Sequence, residues 1–147
     1  MKIRKALRKD FGELYDLGLL TTELRVSKSE PFMEKDDFML RITDKRHVFL
    51  IAEEQNTIAG FICASTKDTD RPLKHRYACL VYIVTSPDFR RRGVATKLYR
   101  ECVRILKARG ITHLYTLADA DTKAIQKFLL GKGFKTGEKM IWMDRKI

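Results

Sequence analysis

No apolar run in the 147 residues approaches the roughly 20 that a membrane-spanning helix needs. The N-terminus is charged from Lys2 onward and shows no signal-peptide apolar core, so a cytoplasmic protein without a membrane partner is expected. Cysteine is scarce. Cys63, Cys79 and Cys102 are odd in number, far apart, and without metal-ligand or redox spacing. They are expected to be reduced thiols buried as small hydrophobes, and no metal is expected. The sequence contains neither a G-K-[ST] phosphate loop nor a G-x-G-x-x-G dinucleotide fingerprint. Internal repeats, low-complexity tracts and linkers are also missing, which leaves a single domain over residues 1–147.

What the chain has in excess is positive charge. It carries 30 Lys and Arg against 19 Asp and Glu, a net charge of +11, in an otherwise ordinary composition that is 44% hydrophobic. Such a balance favours an anionic partner: nucleic acid, an acidic protein or a phosphorylated cofactor. A nucleic-acid partner is not expected, because the chain lacks a groove-reading motif and an interleaved basic and aromatic stacking signature.

Hydrophobic patterning orders the elements. A short strand spans residues 3–7. Asp10 and Glu13 have capping-box spacing and open a helix carrying Phe11, Leu14 and Leu17 on one side. Ser29, Glu30 and Pro31 break the pattern, and a second helix runs from about Lys35 to Thr43. Val48 to Ala52 and Ile58 to Ala64 form a hairpin around Glu54–Thr57. A polar loop over residues 67–75 precedes Tyr77 to Thr85, which is nearly all apolar and reads as a strand buried on both faces. A long amphipathic helix covers about Val94 to Arg109 and stops at Gly110. A strand from His113 to Ala118, a helix from about Thr122 to Lys132 ended by Gly133, and two closing strands around Gly137 complete the chain. Strand, helix, strand in the middle is a βαβ unit, so two central strands are parallel in an otherwise antiparallel, mixed sheet.

The stretch from Val84 to Thr96 carries the chemistry. A buried strand ends, Pro87 stops sheet pairing, and a loop bearing Arg90, Arg91 and Arg92 leads into Gly93, Val94, Ala95 and the helix. The first N–H groups of a helix have no internal partners and, with the helix dipole, bind anions. Gly93 permits unusual dihedrals and close approach of a ligand, and the arginines add charge-assisted hydrogen bonds to phosphate oxygens.

This segment resembles the [QR]-x-x-G-x-[GA] cofactor motif of the GNAT acetyltransferase superfamily. A second stretch, Asp121 to Phe134, resembles that family's late helix ending in a glycine and an aromatic residue, and the element order is similar over essentially the whole chain. The resemblance implies an α/β (α+β mixed) GNAT fold: a central, mostly antiparallel sheet with a splayed parallel strand pair and helices on both faces. It further implies acetyl-CoA as co-substrate. Backbone groups of Ile83, Val84 and Thr85 are expected to pair with the pantetheine arm like an added strand, with a backbone N–H near Val84 stabilising the developing oxyanion. N–H groups from Arg91 through Thr96 would hold the pyrophosphate, with Arg90 and Arg92 beside them and Phe128 against the donor.

The implied reaction is direct attack of a primary amine on the thioester, the amine belonging to a protein N-terminus, a lysine or a small metabolite. The family often has a tyrosine four residues before the late glycine, as general acid to the departing thiolate; here that position is Leu129. Tyr82 and Tyr115 are the substitute candidates, each with an ordinary alternative as a packed strand aromatic. Asp119 and Asp121 follow the second splayed strand as candidate bases; Asp121 has the alternative of capping the late helix. Glu53 and Glu54 are weighed as bases against simply starting the hairpin turn, and His75 and His113 are lone histidines. Trp142 is expected in the core or a substrate wall. A non-catalytic acyl-CoA-binding module stands as the alternative function. The assembly is expected to be a monomer or homodimer.

Overall fold

The structure, a computed structural model, describes residues 1–25, 32–67, 76–139, 141, 143, 145 and 147. The expected break at residues 29–31, most of the polar loop including residue 75, and residue 142 lie outside the described residues. Strand β1 (Lys2–Lys5) is followed by helices α1 (Phe11–Leu20) and α2 (Lys35–Thr43). The hairpin is β2 (His47–Glu54) and β3 (Thr57–Ser65), and then come β4 (Tyr77–Thr85), α3 (Val94–Ala108), β5 (His113–Tyr115) and α4 (Lys123–Leu130). The five strands lie side by side in chain order, every neighbouring pair antiparallel except β4 with β5.

Two expectations fail. The second parallel strand ends at Tyr115, not Ala118, because the chain turns away from β4 there. None of the described residues after Gly133 lies in a strand, where two closing strands were expected.

Both faces of the sheet are covered. On one, Leu14 and Leu17 of α1 and Phe38 and Ile42 of α2 pack with Phe49, Phe61 and Tyr82 of the sheet. Phe38 is the hub, its ring edge-on to Phe49 at 5.4 Å and to Phe32 at 5.2 Å. On the other face, Leu98, Cys102 and Leu106 of α3 and Leu129 of α4 pack on Leu50, Ile62 and Leu80. Burial pushes the Cys102 thiol up to about 12, which leaves it an inert apolar group.

Helices α3 and α4 end in the same way. Gly110 and Gly133 have φ of 74° and 87°. The N–H groups of Ile111 and Phe134 reach back to Leu106 and Leu129, while those of Gly110 and Gly133 reach Lys107 and Leu130. These paired bonds satisfy carbonyls that a helix end leaves open, and glycine supplies the left-handed residue.

Asp10 precedes α1 as expected, but its carboxylate turns back, accepting from the Leu7 N–H at 2.7 Å and from both terminal nitrogens of Arg4 at 2.8 and 2.9 Å. Glu13, expected in the same cap, instead accepts the Ile58 N–H of β3 at 3.0 Å, tying α1 to the sheet. Arg4 also donates to Glu53 at 2.6 Å, so Glu53 braces β1 against β2 and is spent on structure. The Arg4 guanidinium holds the Asp10 carboxyl below the usual carboxylate range. A group with a depressed folded pKa stabilises above its unfolded pKa, and that contribution is lost as pH falls through the folded value. Arg4→Met is therefore expected to cost about 2 kcal/mol at pH 7, with the deficit shrinking below about pH 4. Urea unfolding of both proteins across pH checks this; a deficit independent of pH would contradict it.

Candidate functional site

Strand β4 holds the key irregularity. Its pairing with β3 runs Thr85 to Gly60, Val84 to Phe61, Ile83 to Ile62 and Tyr82 to Cys63, then jumps to Leu80 against Ala64. Val81 is the extra residue of a β-bulge. A bulge bends its strand and breaks the alternation of side chains. Ala78 and Leu80 accordingly face α3, whereas Tyr82 and Val84 face α1 and α2. On the other edge, β4 pairs with β5 only from Tyr77 to Cys79. Just beyond, the Thr116 hydroxyl donates to the Leu80 carbonyl at 2.7 Å and closes the apex of a split. From there the strands part, and a cavity of about 290 Å³ opens between residues 80–85 on one side and 116–119 on the other.

The split leaves backbone groups uncommitted. The Ser86 N–H donates to Ala59 at 3.0 Å, so those two residues form a hydrogen-bonded pair. Antiparallel pairs alternate, which makes Val84 with Phe61 the next such pair. Val84 thus spends its peptide groups on β3, while those of Ile83 and Thr85 point away from β3 into the cavity. Of Ile83, Val84 and Thr85, only Val84 is thereby committed to β3.

The cavity continues to the start of α3. Arg91 and Gly93 both have positive φ, 61° and 77°. Two left-handed residues in three turn successive N–H groups toward one point, the geometry of an anion-binding concavity. Gly93 caps α3 without a side-chain hydrogen bond, and no acidic residue sits in the first turn. The first intrahelical donor is the Lys97 N–H, to Gly93 at 3.0 Å, so the N–H groups of Val94, Ala95 and Thr96 have no helical acceptor. A Cβ at Gly93 would meet nothing within 4 Å, so open space lies in front of the cradle. The Val94 side chain is buried in the core, and Ala95 lines the cavity.

The arginines divide. Arg90 lines the cavity. Arg92 donates to Glu54 at 2.8 Å, with its guanidinium 5.0 Å from the Phe89 ring centroid; it ties the loop to the β2–β3 turn. That pair also accounts for Glu54, one of the weighed bases.

Of the expected catalytic groups, Tyr82 lines the cavity but is 9% exposed, its ring 5.0 Å from Phe32 and its hydroxyl 3.8 Å from the Met33 sulfur. Burial raises its phenol well above the usual tyrosine value. Asp121 is exposed and is no part of the cavity wall. Asp119 is: its carboxylate accepts from the Asp121 N–H at 2.8 Å and the Thr122 hydroxyl at 3.0 Å, shaping the turn into α4. Tyr115 and His113 lie off the cavity wall, near Tyr77. Phe128 and Leu129 line it from α4.

Sequence reasoning passed over three residues. Glu23, in the 3-10 turn Thr22–Leu24 after α1, is a second carboxylate at the cavity; nothing in its local pattern marks it. Lys132 sits beside the first turn of α3. Gly60 did leave a signal, since a lone glycine inside a strand often marks close backbone approach. A Cβ there would lie 2.3 Å from the Val84 carbonyl and 3.1 Å from Val94.

A family model of the acetyltransferase (GNAT) family matches residues 10–134. The chain belongs to the GNAT family. No curated protein matches it, but solved structures share the fold. The aminoglycoside antibiotic 6'-N-acetyltransferase AAC(6')-IG from Acinetobacter haemolyticus is 20% identical, with a TM-score of 0.77 over 100% of this chain and 99% of that one. AAC(6')-Iy in complex with the bisubstrate analogue CoA-S-monomethyl-acetylneamine is 20% identical, with a TM-score of 0.75 over 99% and 98%. A mutant of the BH1408 protein from Bacillus halodurans is 13% identical, with a TM-score of 0.83 over 99% and 100%. At these identities the likeness establishes the fold: a mixed, mostly antiparallel sheet with one parallel pair. Within this GNAT domain Leu129 has a structural use, since its carbonyl accepts the Phe134 N–H and both side chains join the α3-side core.

Gly60→Ala is expected to push β4 away from β3 beneath the start of α3, at about 1–3 kcal/mol. Thermal unfolding together with the amide chemical shifts of residues 83–96 checks it. Unchanged shifts in that segment would mean that Gly60 does not set the position of the site.

Proposed function

We propose that this GNAT domain is an acyl-CoA-dependent N-acetyltransferase that moves an acetyl group from acetyl-CoA to a primary amine of a protein N-terminus, a lysine or a small metabolite, with both reactants bound together. One observation carries the proposal. Ile83 and Thr85 line the cavity, which runs on past Arg90 to Ala95 in the first turn of α3, where the N–H groups of Val94, Ala95 and Thr96 have no helical acceptor; a ligand with an amide-bearing arm and then a diphosphate meets them in that order. The amide arm would add to β4 as a strand adds to a sheet edge, with Val84 fixing the register from behind and Phe128 packing on the arm. The diphosphate would rest on the Arg91–Thr96 backbone, with Arg90 and Arg91 supplying charge and Arg92 anchoring the loop. That solved GNAT neighbours contain CoA or a CoA bisubstrate analogue supports the same reading.

The chemistry asks little more of the protein than placement. The amine lone pair attacks the thioester carbon, the N–C bond forms, and the C–S bond breaks with its electron pair leaving on sulfur. Holding the reactants together supplies much of the acceleration. The Ile83 N–H, directed into the cleft, is the donor available to the developing oxyanion. Asp119 and Glu23 are the carboxylates at the cavity that can draw an ammonium and receive its proton through water; Asp121 contributes by holding the α4 turn through its N–H. Tyr82, packed on Phe32 with its hydroxyl toward the Met33 sulfur, walls the cleft, and the leaving thiolate takes its proton from solvent.

A second reading, a module that binds acyl-CoA without turnover, is favoured by Leu129: the α4 position that often carries the family's acidic phenol is apolar and 6% exposed. Two measurements separate the readings. CoA titration by calorimetry should show binding, and acetyl-CoA with a panel of amines should release thiol above buffer. Binding without release for every amine selects the second reading; no binding overturns both. Gly93→Asn tests the cradle. Asparagine tolerates the left-handed conformation better than most residues, so the strain is about 1 kcal/mol, while its side chain enters the open space. CoA affinity should fall at least tenfold with Tm lowered by about 3 °C or less; retained affinity would place the cradle elsewhere.

A further inference from the structure

The late glycine fixes more than a helix end. Lys132, between Gly131 and Gly133, donates from Nζ to the Thr96 hydroxyl at 3.2 Å, and the same ammonium lies 5.1 Å from the Phe128 ring centroid. It bridges α4 to the first turn of α3, and its backbone is pinned by the bonds of Lys132 N–H to Leu129 and Gly133 N–H to Leu130. Phe128 lines the cavity, and Thr96 supplies the third free N–H of the anion cradle. The ammonium therefore stands between the cavity-lining Phe128 ring and the Thr96 side chain in the first turn of α3.

We propose that Lys132 and Thr96 act as a unit that reads the phosphate next to the amide arm of the donor, and so select a phosphorylated thioester carrier over an unphosphorylated one. This rests on the donor assignment above. Arg92 has its guanidinium on Glu54 at 2.8 Å, so the loop's own charge at the cradle is reduced. Lys132 restores a cation there from a different element, and no carboxylate is paired with it among the described salt bridges. An ammonium is a compact point charge suited to phosphate. Because the Thr96 oxygen accepts from Lys132, its own hydrogen must point elsewhere, and no acceptor for it is found among the described residues. An anionic oxygen in the cradle would take that O–H, the Thr96 N–H and a hydrogen from Lys132 at once. The ring of Phe128 holds the ammonium in place by cation–π attraction before any ligand arrives.

The test compares two ligands in two proteins. Dissociation constants for CoA and for pantetheine, which lacks the phosphates, are measured by calorimetry with wild type and Lys132→Met. The proposal expects about a tenfold loss of CoA affinity in the variant, a flatter dependence of CoA affinity on salt, and unchanged pantetheine affinity. Thr96→Val should weaken CoA as well, and the double variant should lose less than the product of the single losses. Equal weakening of CoA and pantetheine would make Lys132 a structural brace and overturn the proposal, as would unchanged CoA affinity. Failure of wild type to bind CoA at all would instead defeat the donor assignment.

Discussion

The extra residue at Val81 is the constraint on which the site depends. A regular β4 would keep pairing with β5 and leave no opening. With the bulge, the strand bends two residues after its last parallel contact at Cys79, and its far edge is released beyond the Thr116 bond to the Leu80 carbonyl. The same bulge shifts the alternation, so that Tyr82 turns into the aromatic core under α1 and α2 while Leu80 remains under α3. One insertion thus opens the cleft, frees the peptide groups of Ile83 and Thr85 from β3, and turns the Tyr82 ring into the aromatic core. Unpaired backbone at the heart of a sheet is costly unless something pairs with it, which is why a ligand-binding role fits this cleft better than a defect of packing.

The cradle follows from the same economy of means. Three arginines in a row suggest that charge selects the anion, yet the geometry assigns them different tasks. Arg92 fastens the loop to Glu54, Arg90 borders the cavity, and Arg91 contributes a left-handed backbone turn. What remains constant is the direction of the N–H groups, set by Arg91 and Gly93. Gly60, on the neighbouring strand, lets the start of α3 sit close against the Val84 carbonyl. In the proposed reading the anion site is a product of backbone packing, with Lys132 adding side-chain charge from the turn after α4.

Much of this was legible in the residues. The limits of α2 and β4 match the hydrophobic pattern, and the glycines at 110 and 133 mark the two helix ends, because local chemistry alone decides them. The bulge was not, since Leu80 to Val84 are apolar or aromatic throughout and a shift of one residue leaves no trace in such a run. Nor were the partners of Glu53, Glu54 and Asp10, which are found across the sheet or several residues away. Asp119 and Asp121 look alike in sequence; only the turn into α4 brings the first to the cavity and leaves the second outside. The two closing strands expected around Gly137 need a paired edge, and among the described residues after Gly133 no such pairing is made.

The most direct test of this account is amide hydrogen exchange along β4 with and without CoA. The amides of Ile83 and Thr85 should exchange readily in the free protein and become protected when CoA is added, while Val84, already bonded to β3, should be slow in both states. Protection of Val84 alone on binding, or no change at Ile83 and Thr85 at saturating CoA, would contradict the claim that the split beside β4 receives the donor.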